Sequence, residues 1–238
     1  MGSRRYSALR QITRENVSRL SPAWTYHSGD GARNLQATPV IVDGVLYGPT
    51  AGRNLVALNA ATGVELWRVP LDQPTRPRRE DEPARRGLVH WAGDDNHSPR
   101  LLLGSGNWIY ALDPKTGQPV SSFGQAGRTP LPTGATVVGA IFENVFITAG
   151  LYGDLYGYDV RTGAPLWRFH TVPREGEFGA DTWQGVDRDA YQANCWGGLS
   201  VDENRGIVFA AIGAAQPNFI GIDRRGDNLF SNCVLALD

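Results

Sequence analysis

Residues 56–68 read VALNAATGVELWR, and the pattern returns at 109–120 as IYALDPKTGQPV and at 155–168 as LYGYDVRTGAPLWR. A fourth copy opens at 234–238 as VLALD. Each copy predicts a β-hairpin, in which an alternating strand leads into a turn of the form Asp/Asn-x-x-Thr-Gly and a second strand follows. In such a turn the Asp or Asn side chain can bond the backbone, and the glycine supplies the positive φ.

A second strand pair precedes each hairpin. The clearest is Thr38–Tyr47, where Asp43-Gly44 is a strong hairpin signal between two apolar runs. Four strands per unit, repeated along the chain, are typical of β-propeller blades. We therefore predict an all-β fold, a β-propeller of four-stranded blades, and expect residues 1–238 to form a partial propeller of about four blades that stops within its last hairpin.

The last repeat interval is longer than the others. The turn glycines Gly63, Gly117 and Gly163 are 54 and then 46 residues apart, whereas Asp159 and Asp238 are 79 residues apart. Most of the extra length falls at Thr171–Ala193. Since long loops on a rigid scaffold tend to carry function, we expect this segment to lie near the functional site.

The composition excludes several classes of protein. A hydrophobic fraction of 41% supports a folded core, and a net charge of −1 gives no long-range attraction to nucleic acid. Two cysteines, Cys195 and Cys233, cannot form a disulfide scaffold or a cysteine-rich metal site. We expect no membrane-spanning helix, because no run approaches about 18 apolar residues, and the N-terminus shows no secretory signal.

Several segments together resemble the PQQ-dependent (quinoprotein) dehydrogenases, with closest similarity to the membrane-bound glucose dehydrogenase branch. They cover nearly the whole chain and comprise Arg5–Val17, Pro22–Asp30, Gln36–Pro39, Gly48–Gly52, Arg86–Trp91, Trp167–Trp183 and Gly226–Asn232. The resemblance implies an eight-bladed propeller that holds pyrroloquinoline quinone (PQQ) and usually Ca²⁺, and that oxidises a sugar or alcohol hydroxyl. It also implies a periplasmic location, or one on the periplasmic face of the inner membrane, and a quinone or cytochrome as electron acceptor.

By the same resemblance, this chain is about half of such a propeller. A propeller must close to bury its inner strands, so we expect the chain to be a fragment, or a half that needs a complementary C-terminal half, and to be inactive alone. The alternative is a non-catalytic propeller that binds protein partners as a scaffold.

The resemblance also suggests functional residues. Asp227, in a Gly-Asp-Asn-Leu-Phe motif, matches the catalytic base of the alcohol branch, although Asp227-Asn228 could instead form only an Asx turn. Asn218 stands where many glucose-type relatives carry aspartate, and an amide cannot act as a base at neutral pH. The asparagine therefore argues against oxidation of a sugar with the residue at position 218 as the base.

Cofactor contacts are assigned in the same way. Arg86 and His90 match a segment that lines the PQQ pocket, and an arginine can pair with a PQQ carboxylate. Trp196 can stack on the quinone ring, and Asn218 is a further candidate contact. Asn194 and Asp154 are the candidate Ca²⁺ ligands, because calcium prefers amide and carboxylate oxygens.

Overall fold

The computed structural model describes residues 8–30, 35–52, 54–71, 86–135, 137–185 and 192–238. Within these ranges fifteen strands form four antiparallel sheets, each built from strands that are consecutive in the sequence. The first sheet holds β1 (Val40–Val42), β2 (Val45–Pro49), β3 (Asn54–Asn59) and β4 (Glu65–Pro70); the second, β5 (Val89–Trp91), β6 (Arg100–Ser105), β7 (Trp108–Leu112) and β8 (Arg128–Pro130). The third holds β9 (Ala140–Phe142), β10 (Val145–Ala149), β11 (Leu155–Asp159) and β12 (Pro165–Phe169); the fourth, β13 (Leu199–Asp202), β14 (Ile207–Ile212) and β15 (Cys233–Leu237).

The sheets follow one another around an axis. The first strand of each sheet adjoins the first strand of the next, so that β1, β5, β9 and β13 form the inner row. Three apolar clusters fill the spaces between neighbouring sheets, centred on Leu55, on Phe123 and on Leu199. This arrangement of four-stranded sheets confirms the predicted β-propeller, and the fourth sheet shows three strands in the described residues.

The repeated turn has the predicted chemistry. The Oδ1 atom of Asn59 accepts hydrogen bonds from the amides of Ala61 and Thr62, both at 3.0 Å. Asp113 and Asp159 bond the amides two and three residues on in the same way. These bonds fix the turn that joins the third strand to the segment after it, which is why the motif recurs.

The turn glycines also make room for an aromatic ring from an earlier part of the chain. Gly63, Gly117 and Gly163 have φ values of 70–75°, and a Cβ atom on them would stand within 2.6–3.1 Å of Trp24, Trp67 and Phe123 respectively. Only glycine meets both demands. The indole N–H of Trp67 also donates to the Pro114 carbonyl oxygen of the next turn at 3.0 Å, whereas Trp167 of β12 is 36% exposed.

The second repeat departs from the predicted hairpin. After its turn, the returning segment makes only an isolated bridge between Leu112 and Pro119, and the fourth strand is supplied later by Arg128–Pro130. The sequences diverge after the proline that both repeats share: the third repeat continues as Leu166-Trp167-Arg168, and the second as Val120-Ser121-Ser122. The Val120 amide still donates to the Ala111 carbonyl oxygen, and the chain then turns, with the Phe123 amide donating to the Val120 carbonyl oxygen.

Helical structure is limited to two 3₁₀ turns, Val17–Arg19 and Ala180–Thr182, in the described residues. No helix in these ranges is long and apolar enough to cross a membrane. Cys195 and Cys233 are both free thiols. Burial raises the pKa of Cys195 to about 12, so this thiol is inert at neutral pH.

The turn carboxylate of the third sheet makes stability depend on pH. Burial alone would raise the pKa of Asp159, but hydrogen bonds from Arg161 and from the Thr162 amide outweigh burial and lower it from 3.8 to about 2. A lowered folded-state pKa stabilises the protein above the unfolded value, and this contribution is lost as the pH falls from about 4 toward 2. We expect Asp159→Asn to cost about 1 kcal/mol at pH 7, after allowance for solvent screening.

The measurement is the urea-unfolding free energy of wild type and variant between pH 7 and pH 3. The difference between the two proteins should narrow as the pH falls. Asp95→Asn is the matched control, because Asp95 is an exposed carboxylate in the turn between β5 and β6, and its unfolding free energy should stay close to that of wild type at every pH. If the loss of unfolding free energy in Asp159→Asn stayed constant down to pH 3, the Asp159 carboxylate would not be the source of the pH dependence.

Candidate functional site

Segments that lead into the four inner strands meet at one edge of the sheets. We call this the starting edge, because β1, β5, β9 and β13 all begin there. A cleft of about 200 Å³ opens at this edge. Its lining comes from the residues before each inner strand: Gln36 and Thr38, Arg86, Val137 and Val138, and Trp196–Gly198.

Arg86 and Trp196 face each other in the starting-edge cleft. The Cζ atom of Arg86 lies 5.4 Å from the centroid of the Trp196 ring, within the range of a cation–π contact. Trp196 is 57% exposed, which leaves ring surface free for a planar ligand. The structure thus brings together two of the predicted cofactor residues, one positively charged and one aromatic.

Close backbone packing holds Arg86 in place. The amide of Thr38 donates to the Arg86 carbonyl oxygen at 2.9 Å, and Thr38 pairs with Gly87 in a parallel bridge. Gly87 has a φ of 141°, and a Cβ atom there would stand 2.6 Å from the Thr38 carbonyl oxygen. A side chain at Gly87 would therefore push apart the first two inner strands and displace Arg86.

Asn194 lies beside Trp196 at the same edge. Its carbonyl oxygen accepts the Gly213 amide at 2.9 Å. A Cβ atom on Gly213 would meet both the Oδ1 atom of Asn194 and the Nε1 atom of Trp196 at 3.4 Å. Both side chains therefore lie against the backbone just after β14, a proximity that the sequence did not indicate.

The loop that follows β14 also leaves from the starting edge, and it carries Asp227. Both neighbours of Asp227 are anchored on Thr182: the Asn228 amide donates to the Thr182 carbonyl oxygen at 3.0 Å, and a Cβ atom on Gly226 would overlap that oxygen. Asn228 is 4% exposed. Asp227 itself is exposed, and its carboxylate bonds none of the described residues.

The long insertion braces this loop, as its predicted position near the site implied. Trp183 is buried, and its indole N–H donates to the Leu229 carbonyl oxygen at 3.0 Å. The Thr182 hydroxyl accepts the Leu229 amide at 3.0 Å, and Gln184 pairs with Arg225. The motif sequence indicated Asp227, but the anchoring role of Thr182 could not be read from it, because the two lie 45 residues apart.

Asn218 lies in the same loop and is exposed. Its Oδ1 atom accepts the Gln216 side-chain amide at 2.7 Å. Arg224 ties the loop internally, since it donates to Asn228 Oδ1 at 2.6 Å. Neither Asn218 nor Asp227 lines the starting-edge cleft.

His90 does not share the cleft of Arg86. It lines a second cleft, of about 440 Å³, at the opposite end of the inner strands, together with Phe142, Glu143 and Glu203. Burial lowers the pKa of His90, while the nearby Asp43 carboxylate opposes the shift. The expected pairing of Arg86 and His90 in one pocket is not observed.

The carboxylate of Asp154 is already engaged by the protein. Its Oδ2 atom accepts two hydrogen bonds from Arg168, one of them from Nε at 2.8 Å, and its Oδ1 atom accepts the Thr171 amide at 3.3 Å. Among the described residues, no group of three His, Cys, Asp or Glu side chains is placed to hold a metal ion. This environment fits calcium poorly, and the assignment of Asp154 and Asn194 as metal ligands stays a prediction.

Sequence comparison with known proteins identifies relatives of this chain among the PQQ-dependent dehydrogenases. The family model described as "PQQ: Glucose/ethanol/alcohol dehydrogenase, beta-propeller domain" matches residues 1–238. Quinohemoprotein alcohol dehydrogenase ADH IIB of Pseudomonas putida is 30% identical over 98% of this chain and 36% of its own length. Quinoprotein glucose dehydrogenase of Escherichia coli K12 is 26% identical over 98% of this chain and 34% of its own length.

Solved structures show the same fold. Quinohemoprotein alcohol dehydrogenase from Comamonas testosteroni superposes with a TM-score of 0.78 and 25% identity, covering 98% of this chain and 37% of that one. The chain thus spans about a third of the length of the relatives that it matches. It belongs to the glucose/ethanol/alcohol dehydrogenase β-propeller family of PQQ proteins.

Proposed function

We propose that this chain supplies part of the PQQ site of a dehydrogenase that oxidises the hydroxyl group of an alcohol or a sugar to a carbonyl. The observation that carries the proposal is the starting-edge cleft, where Arg86 and Trp196 meet. The volume of about 200 Å³ is below the range of about 300–1,000 Å³ that is usual for small-molecule sites. A cleft of this small volume is consistent with one wall of a larger binding site.

The residues of the cleft fit the chemistry of PQQ, which when bound supplies the quinone that accepts two electrons from the substrate. Arg86 offers a planar, permanently charged donor set for a carboxylate of the cofactor. Trp196 offers an exposed indole face for its planar ring system. Gly197 and Gly198 add no side chains, so a flat ligand can approach the backbone there.

In this proposal Asp227 acts as the general base for the substrate hydroxyl. Among the described residues the Asp227 carboxylate has no bonding partner, which leaves it able to accept a proton, and its anchored neighbours fix the backbone that carries it. Asn218, being an amide, can hold a hydroxyl by hydrogen bonds and cannot take its proton. The proposal therefore favours oxidation of an alcohol over the sugar route that uses a carboxylate at position 218.

Three further features are inferred from the relatives. A Ca²⁺ ion beside PQQ would draw on Asn194 before Asp154, because the Asp154 carboxylate is held by Arg168. A quinone or a cytochrome is the proposed electron acceptor, in line with relatives named alcohol dehydrogenase (quinone) and quinohemoprotein alcohol dehydrogenase. The proposed location is the periplasm or the periplasmic face of the inner membrane.

The experiment is a titration of the purified chain with PQQ, followed by quinone absorbance and by quenching of tryptophan fluorescence. We expect saturable binding that weakens at least about 10-fold in Arg86→Ala, since a charged hydrogen-bond pair in a cleft contributes about 1.5–3 kcal/mol. Arg128→Ala is the matched control, because Arg128 also stacks on a tryptophan, Trp108, at 4.3 Å, but away from the cleft. Equal affinity in wild type and Arg86→Ala would refute the cofactor role of Arg86.

A further inference from the structure

The backbone around Asp227 is held in a conformation that residues with side chains rarely adopt. Asp227 lies between Gly226, which has a φ of 91°, and Asn228, which has a φ of 49°. Phe230, two residues after Asn228, has a φ of 74°, an outlier for a bulky side chain. Left-handed residues of this kind persist only where the surrounding structure determines them, and they are frequent at functional sites. The corner of the chain that carries Asp227 therefore needs contacts from outside the loop.

Thr182 supplies these contacts on both sides of Asp227. On the N-terminal side, a Cβ atom on Gly226 would stand 2.3 Å from the Thr182 carbonyl oxygen, so the two backbones lie directly against each other. On the C-terminal side, the same oxygen accepts the Asn228 amide at 3.0 Å. The Thr182 hydroxyl oxygen then accepts the Leu229 amide, also at 3.0 Å. One residue of the insertion thus contacts the chain just before and just after Asp227.

The insertion also orients the Thr182 hydroxyl. This hydroxyl donates its proton to the Gly179 carbonyl oxygen at 2.6 Å, which leaves its oxygen lone pairs for the Leu229 amide. Gly179 has a φ of 84°, and a Cβ atom there would stand 2.5 Å from the Leu229 side chain. The 3₁₀ turn Ala180–Thr182 therefore holds the hydroxyl against the loop at a point of close approach.

Other contacts keep the two segments together without help from the Thr182 hydroxyl. The Trp183 indole N–H donates to the Leu229 carbonyl oxygen. The backbones of Gln184 and Arg225 exchange two hydrogen bonds, both of 2.9 Å. Loss of the hydroxyl alone should therefore loosen the left-handed corner and leave the insertion docked on the loop.

We propose that Thr182 is a positioning residue for Asp227: its hydroxyl fixes the Leu229 amide, and with it the left-handed corner that carries the Asp227 carboxylate. This role presupposes the proposed function of Asp227 as general base. A displacement of about 1 Å in a reacting group can lower a rate by about 10²-fold. Loss of the hydroxyl should thus lower turnover about 10–100-fold. PQQ affinity should stay unchanged, because Thr182 does not line the starting-edge cleft.

The first test is amide hydrogen exchange in the protein without PQQ, and it does not depend on catalysis. Thr182→Val keeps the branched shape of the side chain and removes the acceptor of the Leu229 amide. We expect this amide to exchange about 3–10-fold faster, the factor that one hydrogen bond contributes, while the amides of β14 keep their wild-type rates. Thr182→Ser retains a hydroxyl and should restore slow exchange. Asp181→Asn, at the exposed preceding residue, is the matched control and should behave as wild type.

Two results of the exchange measurement would contradict the proposal. Unchanged exchange of the Leu229 amide in Thr182→Val would show that the hydroxyl does not hold the corner. Faster exchange throughout β14 would also overturn the positioning role, because Thr182 would then support the whole sheet.

The second test is the turnover of the complete PQQ-loaded dehydrogenase carrying Thr182→Val, Asp227→Asn or both. If Thr182 acts through Asp227, Thr182→Val lowers turnover in the wild-type background and has no further effect in the Asp227→Asn background. An equal loss in both backgrounds would overturn the proposal, because Thr182 would then act on another group. A loss in Asp227→Asn with none in Thr182→Val would overturn the positioning role alone and leave the proposed function standing. Wild-type turnover in Asp227→Asn would remove the proposed role of Asp227, and the positioning role with it.

Discussion

Phe123→Ala is expected to cost about 3–5 kcal/mol of unfolding free energy, the range for truncating a fully buried phenylalanine. Phe123 is 0% exposed and lies in the cluster between the second and third sheets. Its ring packs on the turn glycine Gly163, and the next amide, that of Gly124, donates to the Thr162 carbonyl oxygen at 2.8 Å. Truncation leaves a cavity at the junction where one sheet rests on the next.

The measurement is urea unfolding followed by tryptophan fluorescence. Domains of ordinary stability unfold with about 5–15 kcal/mol, so this loss alone can leave the variant partly unfolded at 37 °C. Phe123→Leu, which keeps most of the apolar volume, should lose less. Phe219→Ala is the matched control, because Phe219 is 98% exposed and its removal should change stability by less than about 0.5 kcal/mol. A loss below about 1.5 kcal/mol for Phe123→Ala would show that the junction collapses without a cavity.

The fold could be predicted because its signal is local and repeated. The Asp/Asn-x-x-Thr-Gly turn and the Asp43-Gly44 hairpin each depend on a few adjacent residues, and all of them form as expected. The outer strand of the second sheet could not be predicted in the same way. There the chain turns at Val120–Phe123, where the third repeat continues its strand, and the outer strand is formed only later by Arg128–Pro130.

The residues that the resemblance assigned to the site come together only where they lie at equivalent points of the repeat. Arg86 and Trp196 both precede an inner strand, so the fold itself brings them to one edge. His90 lies four residues after Arg86, which along a strand is about 13 Å, and it therefore reaches a different cleft. Asp154 was a candidate Ca²⁺ ligand, and its ion pair with Arg168 could not be foreseen, because Arg168 lies on the neighbouring strand, 14 residues further along the chain.

Asp227→Asn is expected to lower turnover by about 10²–10⁴-fold in the complete PQQ-loaded dehydrogenase to which, as proposed, this chain contributes; this is the usual effect of a positioned general base. Asparagine keeps the size of the side chain and removes its ability to accept a proton, so the loop geometry set by Gly226 and Asn228 should persist. PQQ affinity should stay within about threefold of wild type, because Asp227 does not line the starting-edge cleft. A fall in turnover without a fall in affinity separates proton transfer from cofactor binding.

The assay follows oxidation of a primary alcohol by the complete PQQ-loaded dehydrogenase, with a soluble dye as electron acceptor. The loss should appear in turnover, because asparagine cannot take the proton of the substrate hydroxyl. Asp223→Asn, in the same loop and equally exposed, is the matched control and should retain full turnover. If both Asp227→Asn and Asp223→Asn kept wild-type turnover, Asp227 would not be the general base. It would then be only part of the turn that Asn228 anchors, and the base would lie outside this loop.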